Sequence, residues 1–185
     1  MDALDLLNHR NSAPKLALPG PDRETLHRIL GAAMRAPDHG RLQPWRFLII
    51  EGKARYRLGE LFASALLARK PDASEEELKK NAEAPLRAPL IIAVIARLQD
   101  NPKVPKIEQL LSAGSAAHGI LLAAQALGQG AIWRTGDNSY DAQVKTGLGL
   151  AENEELIGYI YLGTPVGVPK PLPEIRIEDF VSHWE

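Results

Sequence analysis

The chain has 185 residues, contains no cysteine and carries a formal net charge of −1 at pH 7. This length fits a single domain, residues 1–185, with a sizeable core. The lack of cysteine excludes a disulfide framework, a thiolate nucleophile and a cysteine metal site. The charge gives no general reason to expect nucleic acid or an acidic membrane as a partner. The N-terminus lacks the basic region and long apolar run of a signal peptide, so a cytoplasmic location is expected.

The first segment predicts a short helix that is capped by Asp2 and cannot continue through Pro14. Arg10-Asn11-Ser12 stands where this helix should end. An arginine and a hydroxyl two residues apart at such a junction can both reach a phosphate. The alternative is that Arg10 only complements the helix dipole and that Ser12 caps a turn.

Pro21-Asp22 opens a second amphipathic helix, which leads into a loop from Arg35 to Trp45. That loop contains two prolines, a glycine and several polar side chains, and a loop so dense in functional groups often carries a site. His39 is its candidate residue; the alternative is an ordinary surface histidine. A metal site is not expected, because His39 has no ligand partner at a plausible spacing.

Apolar runs at 45–51, 89–96 and 155–163 predict buried strands of the kind found in sheets that are covered on both faces. An amphipathic helix over 52–70 follows the first strand. Ser74-Glu75-Glu76-Glu77 forms a capping box for a charged, solvated helix. A further helix is expected to begin at Ser139 or Asp141.

The stretch from Ile107 to Gly128 predicts a long central helix. It has no charged residue between Ser112 and Leu127, and small or aliphatic residues occur at nearly every helical angle. A helix that is apolar all round must be wrapped by other elements or by a second subunit. Ser112, Ser115, His118 and Gln125 interrupt the run, whereas a membrane span needs about 20 strongly apolar residues. The short strand 131–135 follows and brings Arg134 to its end.

Residues 164–185 predict an extended C-terminal arm. Prolines recur along its first half, and apolar residues return towards its end, up to Trp184. Such an arm suits contact with another surface, and a second subunit is the expected one.

The sequence has no Walker loop, no GxGxxG after a strand, no GxSxG elbow and no histidine cluster with metal spacing. Three segments instead combine arginine with hydroxyl or aromatic side chains: 10–12, 35–45 and 133–135. Arginine forks beside hydroxyl donors suit a dianionic phosphate, and a neighbouring apolar slot suits a flat ring. A phosphorylated flavin requires this combination.

These segments, taken in order with the small-residue helix and with Tyr161-Leu162-Gly163-Thr164-Pro165, resemble the compact members of the nitroreductase family. The resemblance runs from Met1 to about Pro165. It implies an α+β sandwich, with a mixed, mainly antiparallel sheet wrapped by helices around the long central helix. It also implies an obligate homodimer that holds FMN at the subunit interface.

The resemblance implies cofactor contacts for eight residues, with His39 reaching the flavin of the other subunit and Arg134 placed at the phosphate: Arg10, Asn11, Ser12, Arg35, His39, Trp133, Arg134 and Thr135. Many compact members have Arg-Arg-Ser where this chain has Arg10-Asn11-Ser12, so one cation is replaced by an amide. The segment 123–128 matches a region linked to nicotinamide contacts in such relatives, and a buried helix end accounts for it equally well.

The implied reaction is ping-pong: NADH or NADPH reduces the flavin and leaves, and a nitroaromatic, a quinone or a similar acceptor then takes the electrons. Because the cofactor does the hard chemistry, no catalytic protein residue is obligatory. One alternative is a specialised reductase of a single metabolite. Another is a non-catalytic FMN-binding or flavin-storage protein, and a purely structural dimerisation module would bind no flavin.

Overall fold

The computed structural model describes residues 2–185. Within this range the α-helices are α1 Ala3–His9, α2 Arg23–Ala33, α3 Ala54–Arg69, α4 Glu75–Glu83, α5 Lys106–Ala126, α6 Asp137–Tyr140 and α7 Ala142–Gly147. The strands are β1 Leu16–Ala17, β2 Trp45–Glu51, β3 Leu90–Arg97, β4 Gly130–Arg134 and β5 Glu154–Pro165. Three short 3-10 turns lie at His39–Arg41, Ala84–Arg87 and Ile177–Asp179.

The strands form one sheet in the order β1-β5-β3-β2, with β4 paired to β5 as well. A mixed, mainly antiparallel sheet was expected, and each pairing within residues 2–185 is antiparallel. β5 therefore pairs with three strands, β1, β3 and β4. The predicted strands at 45–51, 89–96 and 155–163 are confirmed as β2, β3 and β5.

Two hydrophobic layers cover the two faces of the sheet, as expected for an α+β sandwich. Alternate β3 residues point to opposite sides, with Ile92 and Val94 in the layer that contains α2 and α5, and Ile91 and Ile95 in the layer that contains α3. All four are fully buried. The apolar run of β3 is thus explained by helices on both faces of the strand.

Helix α5 is only partly covered by its own chain. Its buried side includes Ala113, Ala117 and Ile120. On its other side Ile107 is 60% exposed and Leu111 is 63% exposed. The helix was expected to need wrapping all round, and one chain supplies that cover on one side only.

Several local details refine the sequence expectations. The capping box of Ser74 and Glu77 is confirmed, with hydrogen bonds in both directions. Asp141, rather than Ser139, caps α7 by accepting a hydrogen bond from the Val144 N–H. The two-residue strand β1 and the single-turn helix α6 were not predicted, because neither is long enough to show hydrophobic periodicity.

The C-terminal arm projects from the sandwich. Every residue from Pro165 to Glu185 is exposed in the single chain. Phe180 is 79% exposed and Trp184 is fully exposed. Within residues 2–185 no surface of the chain covers these apolar side chains. Their contact with a second subunit stays a prediction.

Candidate functional site

The segment Arg10–Ser12, which directly follows α1, is held by two side-chain amides. The Asn11 N–H donates to Gln125 Oε1 at 3.0 Å, and Gln125 Nε2 donates to the His9 carbonyl at 3.1 Å. The Ser12 N–H donates to Asn11 Oδ1 at 2.9 Å. Because these backbone groups already have partners, the segment presents its side chains, rather than its N–H groups, to a ligand.

A cavity of about 250 Å³ lies beside this segment. Ser12, the α5–β4 turn at Gly128 and the root of the arm at Val168 line it. Asn11 Nδ2 donates to the Lys170 carbonyl at 2.5 Å, which ties the arm to the segment. Arg10 is half-buried and has no ion-pair partner within residues 2–185.

Strand β4 connects this cavity to the predicted segment 133–135. The Ala13 N–H donates to the Ala131 carbonyl at 2.9 Å, so the N-terminal segment lies along the strand. Trp133 packs on the α5 side of the sheet and donates from Nε1 to the Ile157 carbonyl at 3.4 Å. Gly158, at φ +146°, leaves room for this indole, because a Cβ there would collide with Trp133 Nε1.

Arg134 lines a second cavity, of about 440 Å³, on the α3 side of the sheet. Its Cζ lies 5.6 Å from the centroid of the Tyr161 ring, a distance at which a cation is attracted to the ring face. Its Nε is buried and has no hydrogen-bond partner within residues 2–185. Arg87 lines the same cavity, and none of the residues lining it carries a carboxylate.

Two tyrosines complete this second cavity. Burial raises the pKa of Tyr161 to about 12, against the opposing charges of Arg134 and Arg87. Burial also raises the pKa of Tyr159, with smaller contributions from Tyr161 and Asp141. Both phenols therefore stay protonated at neutral pH, and two guanidinium groups remain to attract an anionic or electron-rich group.

The loop that carries His39 has an unusual backbone. Gly40, Arg41 and Gln43 have φ values of 74°, 55° and 48°, in the left-handed region that non-glycine residues rarely adopt. The carboxylate of Asp38 stabilises this conformation, because its two oxygens accept from the Leu42 and Gln43 N–H groups at 3.1 Å and 2.8 Å. Clusters of strained backbone of this kind are common at functional sites.

Within one chain His39 lies far from the Arg10–Ser12 segment. Its Nδ1 lies 2.6 Å from Glu108 Oε2, in the first turn of α5, whereas the Arg10–Ser12 segment binds Gln125 in the last turn. At 1.5 Å per residue these turns are about 25 Å apart. Arg35 is exposed directly after α2.

The structure therefore joins segments 10–12 and 133–135 through β4. It holds His39 beside Glu108 at the other end of α5, and Arg35 is exposed after α2. It also places Ser12 and Arg134 in different cavities. The sequence interpretation did not identify Arg87 as a lining residue of the second cavity, because a lone arginine in a short turn has no distinctive pattern. It treated Gln125 as an interruption of an apolar run and as part of the segment 123–128, and did not connect it with Arg10 or Ser12.

Comparison with known proteins decides the family. The nitroreductase family profile matches residues 10–164. Over 180 residues the chain is 43% identical to YdjA of Escherichia coli K12, provisionally named an NAD(P)H nitroreductase, and the match covers 94% of this chain and 97% of that one. The chain belongs to the nitroreductase family. It is accordingly an oxidoreductase.

Solved nitroreductase-like structures share the fold. A Bacillus cereus member of the family superposes with a TM-score of 0.85 at 20% identity, covering 100% of this chain and 97% of that one. A Bacteroides fragilis nitroreductase, described with bound FMN, superposes with a TM-score of 0.73 at 20% identity over the full length of both chains. These likenesses confirm the predicted nitroreductase-like α+β sandwich.

The residues of this nitroreductase fit the FMN that the family implies. The unpartnered Nε of Arg134 lies in a carboxylate-free cavity, and Ser12 and Arg10 stand at or beside the cavity at the other end of β4. Within residues 2–185 no group of three or more His, Asp or Glu side chains could hold a metal ion. No helix in that range is long and apolar enough to cross a membrane.

Proposed function

We propose that the protein is an FMN-dependent homodimeric oxidoreductase that takes a hydride from NADH or NADPH and reduces nitroaromatics, quinones or similar acceptors by a ping-pong mechanism. The observation that carries the proposal is the hydrogen bond between Ala13 and Ala131. It aligns two predicted flavin segments, far apart in sequence, along a single strand with a cavity at each end.

The cofactor phosphate is assigned to Arg10 and Ser12. The N–H groups of Asn11, Ser12 and Ala13 are all engaged, by Gln125 Oε1, Asn11 Oδ1 and the Ala131 carbonyl. Recognition of a dianion therefore depends on the guanidinium of Arg10 and the hydroxyl of Ser12, and charge-assisted hydrogen bonds of this kind are strong.

The flat ring is assigned to the end of β4, at Trp133, Arg134 and Thr135. FMN, when bound, supplies the hydride chemistry between donor and acceptor. Arg134 holds a positive charge beside the ring. Tyr161, protonated at neutral pH, presents its ring face to the Arg134 guanidinium.

We expect a second subunit to bring its His39 loop to the β4 cavities, because one chain holds its own His39 at the far end of α5. His39, in the loop after α2, contacts Glu108 at the opposite end of α5 from Gln125 and the Arg10–Ser12 segment, and Leu111 is exposed on the helix between these two ends. If two copies pack antiparallel along α5, the loop of one chain lies beside the β4 cavities of the other. The exposed arm then covers the partner, and His39 reaches the partner's flavin.

The test uses the purified protein loaded with FMN. Under anaerobic conditions NADH or NADPH is expected to bleach the flavin, and a nitroaromatic or a quinone to restore its colour. Steady-state rates at varied donor and acceptor should give parallel double-reciprocal lines. A flavoprotein that does not bleach would be a storage protein, reoxidation by one metabolite alone would indicate a specialised reductase, and a protein that binds no flavin would refute the proposal.

A further inference from the structure

Gln125 makes two hydrogen bonds that bracket Arg10. Its Oε1 accepts from the N–H of Asn11, the residue after Arg10, and its Nε2 donates to the carbonyl of His9, the residue before it. Gln125 thereby engages the backbone of the N-terminal segment much as a neighbouring strand would. The two hydrogen bonds join residues that are 114 and 116 positions apart in the sequence.

The helix that carries Gln125 is firmly placed. Leu121 and Ala124, on the same last turns of α5, are buried in the core. The N-terminal segment is therefore fixed at two points, by Gln125 and by the hydrogen bond between Ala13 and Ala131. Arg10 lies between the two hydrogen bonds of Gln125, and Ser12 lies between Gln125's contact at Asn11 and the hydrogen bond of Ala13.

Asn11 adds a third constraint. Its Oδ1 accepts from the Ser12 N–H and its Nδ2 donates to the Lys170 carbonyl, so both ends of this amide are engaged by the protein. The Asn11 side chain thus contributes to holding the backbone of this segment.

We propose that Gln125, which lines the same cavity as Ser12, is a positioning residue for the cofactor phosphate: its two backbone hydrogen bonds set the direction of Arg10 and Ser12. This inference rests on the proposed function. It accounts for a polar residue in the otherwise apolar end of α5. It also gives Gln125 a role that differs from a nicotinamide contact.

The experiment compares two glutamines. Gln125→Met keeps the length and shape of the side chain and removes both hydrogen bonds. Gln143→Met is the matched control, because Gln143 Nε2 donates to Ser64 Oγ at 2.8 Å, between α7 and α3, away from both cavities. FMN and riboflavin, which lacks the phosphate, are titrated into each apo-protein.

Gln125→Met is expected to weaken FMN by about tenfold, the loss of one or two neutral hydrogen bonds, and riboflavin by less than about twofold. Gln143→Met should leave both affinities unchanged. Equal losses for FMN and riboflavin, or no loss for either, would overturn the positioning role. Gln125→Ala, which retains helix propensity, gives the same comparison should the methionine variant fold poorly.

A double-mutant cycle with Arg10→Ala separates positioning from general support. If Gln125 acts through Arg10 and Ser12, adding Gln125→Met to Arg10→Ala should weaken FMN by clearly less than the tenfold loss seen in the native background. A full, additive loss contradicts the proposal. Failure of the native protein to bind FMN at all would instead refute the proposed function, so the two failures are distinguishable.

Discussion

Arg10 and Arg134, two arginines that we propose contact the cofactor, have different surroundings. Arg10 stands beside a hydroxyl and a chain of engaged backbone N–H groups. Arg134 stands over an aromatic ring in a cavity lined by two tyrosines. The first environment suits a phosphate, and the second suits the edge of a flat ring. The sequence interpretation placed the phosphate at Arg134, whereas we propose Arg10 and Ser12; a comparison of FMN with riboflavin distinguishes the two assignments.

Replacing Arg134 with alanine should therefore weaken FMN and riboflavin alike, by on the order of 10- to 100-fold, the value of a charge-assisted contact of roughly 1.5–3 kcal/mol. Isothermal titration of both ligands measures this. Arg10→Ala is the comparison, and it should weaken FMN far more than riboflavin. A loss confined to FMN in Arg134→Ala would return the phosphate to Arg134.

His39 is expected to matter only in the assembled, flavin-loaded protein. Its contact with Glu108 is solvent-exposed, and such pairs contribute about 0–1 kcal/mol. His39→Ala should therefore leave the melting temperature of the apo-protein nearly unchanged, and should shrink the increase that FMN produces by mass action. His27→Ala, at an exposed position of α2, is the control. Equal FMN-induced shifts in all three proteins would make His39 an ordinary surface residue.

Among the elements, those with a long periodic or apolar signal were predicted well. The central helix, expected over 107–128, runs from Lys106 to Ala126 and ends before Gly128 at φ 74°. The crossing of α5 over α2 depends on Gly119, where a Cβ would lie 3.3 Å from the Ala33 Cα. To predict such packing, the positions of both helices must be known, and hydrophobic periodicity alone does not give them.

The start of β5 is tied to β2 across the intervening strand β3. Glu154 is buried, and Arg46 donates to its two carboxylate oxygens from Nε at 2.9 Å and from Nη2 at 2.6 Å. The hydrogen bond from Arg46 lowers the pKa of Glu154, against the effect of burial. The Arg46–Glu154 pair joins β2 to β5 across β3. Hydrophobic periodicity cannot predict a contact between two residues that are 108 positions apart.

Glu154→Gln should lower the free energy of unfolding at neutral pH by about 1.5–3 kcal/mol, the range for hydrogen bonds to charged groups. Because the folded pKa lies below the ordinary value of 4.5, the stabilisation by Glu154 is present above that value and is lost as pH falls through the folded pKa. Denaturant unfolding of both proteins between about pH 3 and pH 7 measures this. A difference that stays constant at low pH would contradict the assignment to the carboxylate.

For the whole molecule, one chain accounts for the sandwich and for two of the three predicted cofactor segments. It does not account for the Arg35–His39 loop or the arm. Both are expected to make contacts between copies, which sequence spacing cannot describe and which an isolated chain does not contain. The exposed apolar residues Leu111, Phe180 and Trp184 indicate where such contacts are expected. The dimer is the prediction that joins these features.

A permanent homodimer is expected to bury roughly 2,000 Å² or more in total. Leu111→Arg places a charge at the centre of the exposed α5 face and should dissociate the dimer; FMN affinity should fall with it, because His39 then no longer reaches the partner's flavin. Leu67→Arg is the control, since Leu67 is 47% exposed on α3, the helix that covers the other face of the sheet. Sedimentation velocity with absorbance at a flavin wavelength records mass and cofactor together. A native, flavin-loaded monomer at micromolar concentration would contradict the two-subunit site, and so would a Leu111→Arg monomer that binds FMN with native affinity.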